Sequence, residues 1–323
     1  MSDYIRQHAV AIDYKVGESW SILNEIEQSI KQKIEAVGTP LKDWDIEIKR
    51  GILTGLNEAF IISKEKRDEL ISADPKSAEI IRPILRGKDI KKYEIKFQEL
   101  YLIALFPSKN YDIDQFPAIK DWLVNGKWVK KKTKNNPPTP IGSGRLRLEQ
   151  TGKVYECSGI KFKARKKTTN RWFETQDSIK YWDDFSKQKI IYPNMTKYLP
   201  FYLDNSEYFV NQKAFVITGE GIEYLTAFCN SSLFKFVYSN NFPELQGGTR
   251  ELSKVFFERL FIKPVSKETE NVYSKIIKEI QKLKGMGKDT KLLEKQLDTM
   301  IFEEYNLEDT EISIVKKHSS LYE

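Results

Sequence analysis

Apolar positions recur with a helical period at both ends of this chain and in short strand-like runs between them. From Ser19 the spacing Ile22, Leu23, Ile26, Ile30 and Ile34 puts one apolar stripe on a helix, which Gly38 stops. Residues 1–18 carry no clear period. Asp45 to Lys49 alternates as a strand, and Ile61 and Ile62 continue one. Ser63 is placed to cap a helix from Lys64 to about Ala73. Asp74-Pro75 opens a further predicted helix running to Arg82-Pro83, followed by a basic turn, Ile84 to Ile90. Leu100 to Phe106 reads as a buried strand closed by Pro107, and Asp114 to Val124 as a helix.

The stretch from Arg171 to Glu220 has the densest pattern. A polar loop leads into an amphipathic run ending at Asp183-Asp184-Phe185. Four short apolar runs follow: Lys189 to Pro193, Phe201 to Leu203, Tyr208 to Val210, and Ala214 to Thr218. Strand cores this close, separated by Pro, Asn, Asp and Gly, predict a compact sheet. Gly221 to Phe236 reads as one helix with an aromatic face, and Ser253 to Leu260 as another. Beyond Ser266, Val272, Ile276, Ile277, Ile280 and Leu283 mark an amphipathic helix, Gly285-Met-Gly287 breaks it, and Leu292 to Tyr305 makes a second. This pair and a short tail look like an appended docking element. The predicted fold class is α+β: a mixed sheet with flanking helices and a C-terminal antiparallel helical hairpin. The expected divisions are 1–40, a helical linker; 41–264, the sheet-bearing domain; and 265–323, the hairpin.

Composition narrows the classes. The chain has 323 residues, 40% of them hydrophobic, enough for a sizeable core. Its net charge of +7 fits a nucleic-acid ligand without demanding one. No run approaches the ~20 apolar residues of a membrane span, and the N-terminus lacks the apolar core of a signal peptide. Two cysteines, Cys157 and Cys229, and two histidines, His8 and His318, are too few and too scattered to suggest a zinc site or a disulfide. A reducing cytoplasm is the expected setting.

The candidate chemistry is cationic. Lys127, Lys130, Lys131, Lys132 and Lys134 cluster before a proline-rich loop, and Lys161, Lys163, Lys166 and Lys167 form a second group. These are phosphate-neutralising candidates, together with Gly247 and Gly248, which let backbone approach a sugar-phosphate chain. Arg145, Arg147, Arg165, Asn170, Arg171, Gln176, Gln246 and Arg250 are of the types that read base edges. Two catalytic patterns are incomplete. Asn136-Pro137-Pro138 resembles a base-flipping methyltransferase tetrad, but Thr139 stands where an aromatic should stack. Glu47-Ile48-Lys49 and Glu94-Ile95-Lys96 match half of a metal-dependent nuclease site, with Asp45 and Asp89 as the acids, but read more simply as alternating strand faces.

The order of several segments carries a family resemblance. These are Gly51 to Phe60, Ile84 to Ile90, Phe116 to Ile119, Arg171-Trp-Phe-Glu174, Lys189 to Pro193, Tyr208-Phe209, Phe215 to Thr218, Gly247-Gly248 to Arg250, and the tail Leu297 to Ile312. Together they resemble the TaqI-like specificity domain of type IIG restriction-modification proteins, the C-terminal target-recognition part of adenine-specific DNA methyltransferases. The resemblance implies double-stranded DNA as partner. It also implies an N-terminal methyltransferase or nuclease domain, in cis or in trans, with S-adenosylmethionine and Mg²⁺ bound there and no catalytic residue or metal in this chain. The alternatives are a self-contained methyltransferase or nuclease, and an assembly subunit with little DNA affinity.

Overall fold

A computed structural model describes residues 23–125, 128, 143–157, 159–242, 244–245 and 248–320. At its centre is an antiparallel four-stranded sheet in the order Tyr202–Asp204, Lys189–Pro193, Ala214–Gly219, Ile46–Arg50. Its central strands are buried on both faces, which is why they read as continuous apolar runs. Ile190, Tyr192, Phe215 and Ile217 enter one core, while Ile191, Ala214 and Val216 enter another. The strand pleat thus divides the molecule into two hydrophobic layers.

The second layer is closed by a mixed sheet in the order Phe209–Val210, Ile81–Leu85, Leu100–Ile103, Ile61–Ser63. Its first pair is parallel and the others are antiparallel. The α+β class with a mixed sheet is therefore the observed one. The helix expected over Pro75 to Arg82 is instead a 3-10 turn, Pro75–Ile80, running into the strand Ile81–Leu85. Pro83 pushes Arg82 towards extended backbone, and the Arg82 guanidinium takes the carbonyls of Ala78, Glu79 and Ile81.

The first layer is covered by helices. The run expected as one helix over 221–236 is two, Ile222–Cys229 and Ser232–Asn241. Asn230 breaks it, because its side-chain amide bonds both the N–H and the C=O of Phe201. Ser231 then caps the second helix through the Phe234 N–H. At the C-terminal end there are three helices, Lys267–Gly285, Lys291–Glu304 and Asp309–Ser319, where a hairpin and a short tail were expected. They do not stand off as a docking element: Tyr273, Ile277, Ile280, Leu297, Ile301, Tyr305 and Val315 fill the same core as the sheet. The last helix meets the first, Glu25–Val37, through Ser29 to Glu311 at 2.6 Å, Lys33 to Glu311 at 2.7 Å and Glu27 to His318 at 3.0 Å.

A charged pair is sealed inside the central sheet. Lys189 and Asp204, register partners, meet at 2.7 Å with neither side chain reaching solvent. Burial pushes the lysine down and the carboxyl up, and their mutual attraction opposes both shifts. The ammonium also donates to the carbonyls of Phe185 and Ser206, so the charge is compensated on several sides.

Candidate nucleic-acid interface

The basic segment around residues 144–177 is a set of short pieces fastened to the second core. Phe173 and Ile179 anchor the loop, and Leu148 anchors the short helix Gly144–Leu148. Between them a β-hairpin pairs Val154–Cys157 with Ile160–Lys163. Gly159, at φ +73°, makes its turn, a conformation that favours glycine.

Arg165 is the fastener. It is 5% exposed, and its guanidinium donates to four carbonyls. Nε and Nη2 reach the Leu148 oxygen at 3.0 and 2.8 Å, Nη1 reaches Thr54 and Glu174 at 2.9 and 2.8 Å, and Nη2 also reaches Trp172 at 2.6 Å. All five N–H groups are committed, leaving none for a base. This corrects the expectation that Arg165 reads a base edge; a side chain with no free donor and no exposure ties the scaffold instead. Burial lowers its pKa to about 9, against the neighbouring carboxylates Glu149 and Glu174, so it remains charged near neutrality.

Gln150 is buried beside it, donating to the carbonyls of Arg171 and Glu174 at 3.1 Å each and accepting from Thr168 at 2.8 Å. Asn170 has turned inward as well: its amide donates to the carbonyls of Thr175 and Gln176. Gln176 packs against Gly55, where a Cβ would come within 2.8 Å of its side-chain oxygen and φ is +78°. Asn170 therefore spends both amide hydrogens on the loop, and Gln176 is half-buried beside Gly55.

Of the remaining cations, Arg171 is exposed while Arg145 and Arg147 are half-buried. Arg171 donates to Glu174 at 2.7 Å and lies over the Phe173 ring at 4.8 Å. Arg145 pairs with Glu149 and stacks on Trp172 at 4.4 Å. Arg147 is half-buried, which lowers its pKa against the pull of Glu58. Lys161, Lys163, Lys166 and Lys167 are exposed, and Lys161 lies 3.9 Å from Glu156. Arg250 belongs elsewhere: its guanidinium lies over Tyr238 in the first core and bonds the Phe242 carbonyl and Glu244. Gly248, at φ +74°, is beside Lys197 in the same region. Lys127, Lys130, Lys131, Lys132, Lys134, Gln246, Gly247 and the Asn136 to Thr139 tetrad lie outside the described residues.

The half-motifs for nuclease chemistry are neutralised as salt bridges. Lys49 sits between the carboxylates of Glu47 and Asp184, at the edge of a cleft of about 650 Å³ that Asp45, Asp183 and Lys187 also line. Lys96 pairs with Glu94 on the surface. Asp89 is buried and clamps Arg86. Among the described residues, no group of three or more His, Cys, Asp and Glu side chains could hold a metal ion.

A family model described as the TaqI-like C-terminal specificity domain matches residues 82–265, more than half of the chain. The chain belongs to this family. Within the TaqI-like domain, the matched range contains both central sheet strands, the basic hairpin and the Arg165 fastener. The type II methyltransferase M.BstVI of Geobacillus stearothermophilus is 20% identical over 308 residues, 93% of this chain and 46% of the relative. The chain thus spans about half the length of that curated relative. Among solved structures, the type IIL restriction-modification enzyme MmeI is similar in fold, with a TM-score of 0.50 at 10% identity over 88% of this chain and 36% of that one. The type IIG restriction endonuclease BpuSI gives a TM-score of 0.45 at 13% identity, over 87% and 33% of the two chains. Two participants in the TaqI-like domain's platform, Gln150 and Glu174, were not among the sequence candidates. Glu174 had a signal, its spacing of three from Arg171 in Arg-Trp-Phe-Glu; Gln150 had none, because its partners are carbonyls from a distant loop.

Proposed function

We propose that this chain is the DNA-recognition module of a restriction-modification methyltransferase. It holds duplex DNA and reads a short site, while a methyltransferase domain elsewhere in a longer protein makes the bond. Membership in a specificity-domain family supports the reading, as does a methyltransferase relative about twice as long. The observation that carries it is the platform: Arg165 and Gln150 spend buried polar groups to fix a hairpin and a loop, both of which turn lysines and arginines to solvent. Rigid support under exposed cations is what ordered contact with a phosphate lattice requires. Lys163, Lys166 and Lys167 are the phosphate-facing candidates, with Arg145, Arg147 and Arg171 as further cations of the same chain segment.

In the fuller form of this proposal the reaction is adenine-N6 methylation in the cytoplasm. S-adenosylmethionine, and Mg²⁺ if the parent also cleaves, are bound by the partner domain. The test uses the purified chain with duplex DNA and labelled methyl donor. Retention of duplex DNA without methyl transfer is the expected result. Transfer by the chain alone would make it a self-contained enzyme, and no retention of DNA at low salt would favour an assembly role.

A further inference from the structure

The hairpin Val154–Cys157 and Ile160–Lys163 has an outer face whose chemistry the lysine count alone does not describe. Its register pairs Val154 with Lys163, Tyr155 with Phe162, Glu156 with Lys161 and Cys157 with Ile160. Strand alternation sends every second pair to the same side. Tyr155 and Phe162 lie ring to ring at 6.4 Å on the inner side, and Phe162 is buried. Val154, Glu156, Lys161 and Lys163 are exposed and share the other side. Val154 is 64% exposed, unusual for a β-branched aliphatic side chain with a buried face available one residue away.

We infer that this outer face is a base-reading surface, with Glu156 and Lys161 acting together on one G·C pair. The inference rests on the proposal that the chain binds duplex DNA. A two-stranded ribbon fits the major groove. There a guanine offers the acceptors N7 and O6, which an ammonium can bridge, and its cytosine offers the N4 amino donor, which a carboxylate accepts. Glu156 and Lys161 are cross-strand neighbours whose charged atoms lie 3.9 Å apart, so they can face the two bases of one pair. A carboxylate aimed at the phosphates would be repelled, so Glu156 on this basic rim makes sense against a base rather than a backbone. Val154, one pleat along, supplies the apolar contact that a thymine methyl accepts.

The experiment is enrichment of a randomised duplex pool on the full chain, followed by sequencing, for wild type, Glu156→Gln, Lys161→Gln and the double variant. Both positions changed are solvent-exposed, so folding is preserved, which a thermal melt checks. Wild type should enrich a site with a fixed G·C pair. Each single variant should relax or switch that one position by about tenfold while leaving the others intact. The double variant should add little to either single one. An enriched site that all variants keep unchanged would overturn the inference and leave DNA recognition standing, as would an equal loss across every sequence, which would mark Lys161 as a phosphate contact. If wild type enriches nothing, the inference and the proposed function both fall.

Discussion

At the residue scale, one arginine separates support from contact. A guanidinium that closes five hydrogen bonds to carbonyls from three chain segments is a structural part, and removing it strands acceptors in a dry interior. Arg165→Met should lower unfolding free energy by about 3–5 kcal/mol, read by urea denaturation, and abolish DNA retention at the same time. Lys at this position keeps the charge but loses the fork, and should recover only part of the stability. Unchanged stability in Arg165→Met would mean that the loop is held by something other than this residue. The sequence marked Arg165 as cationic and near other cations, which was correct but could not distinguish a side chain facing DNA from one facing Thr54, 111 residues away. Asn170 failed to be legible for the same reason: amides read bases and cap loops with equal facility.

At the element scale, the C-terminal helices illustrate where periodicity suffices and where it does not. Val272 to Leu283 and Leu292 to Tyr305 predicted two helices, and both formed. Their role was illegible, because an apolar stripe does not say which core it fills. Contacts across the chain answer that: Lys92, far upstream, reaches Glu294 at 2.7 Å, and Lys284 reaches it at 2.9 Å. Burial raises the Glu294 pKa, but Lys92, Lys284 and Thr290 outweigh it and hold the group near 2. Its folded-state pKa is therefore below the ordinary value of 4.5, so the stabilisation is complete above that pH and is lost as pH falls towards 2. Acid titration of stability should show a loss on the order of 2–3 kcal/mol across this window, and Glu294→Gln should flatten it. A variant as acid-sensitive as wild type would place the dependence on another carboxylate. The strand from Ile81 was misread for a related reason: Asp74-Pro75 is a strong helix start, yet Pro83 and the carbonyl-seeking Arg82 end the turn within six residues.

At the scale of the whole molecule, the central sheet feeds two cores through alternate side chains, and this fixes how the working parts are distributed. Helices cover one layer. The other carries the mixed sheet, and on it the short helix and the loop that Arg165 ties together. The α+β class and the centrality of residues 189–218 were legible because doubly buried strands are continuous apolar runs. The stacking of Arg145 and Arg171 on the neighbouring rings Trp172 and Phe173, and of Arg250 on Tyr238 in the first core, depends on tertiary contacts that no local pattern encodes. A net charge of +7 is modest, so recognition must come from where the cations are held rather than from their number.

The most direct measurement is duplex-DNA affinity as a function of salt, for wild type and for a variant with Lys163, Lys166 and Lys167 changed to Gln. Log K should fall linearly with log salt in wild type, and the slope should shallow by about 0.9 for each phosphate contact removed. Affinity indifferent to salt, or a slope that the variant leaves unaltered, would contradict it.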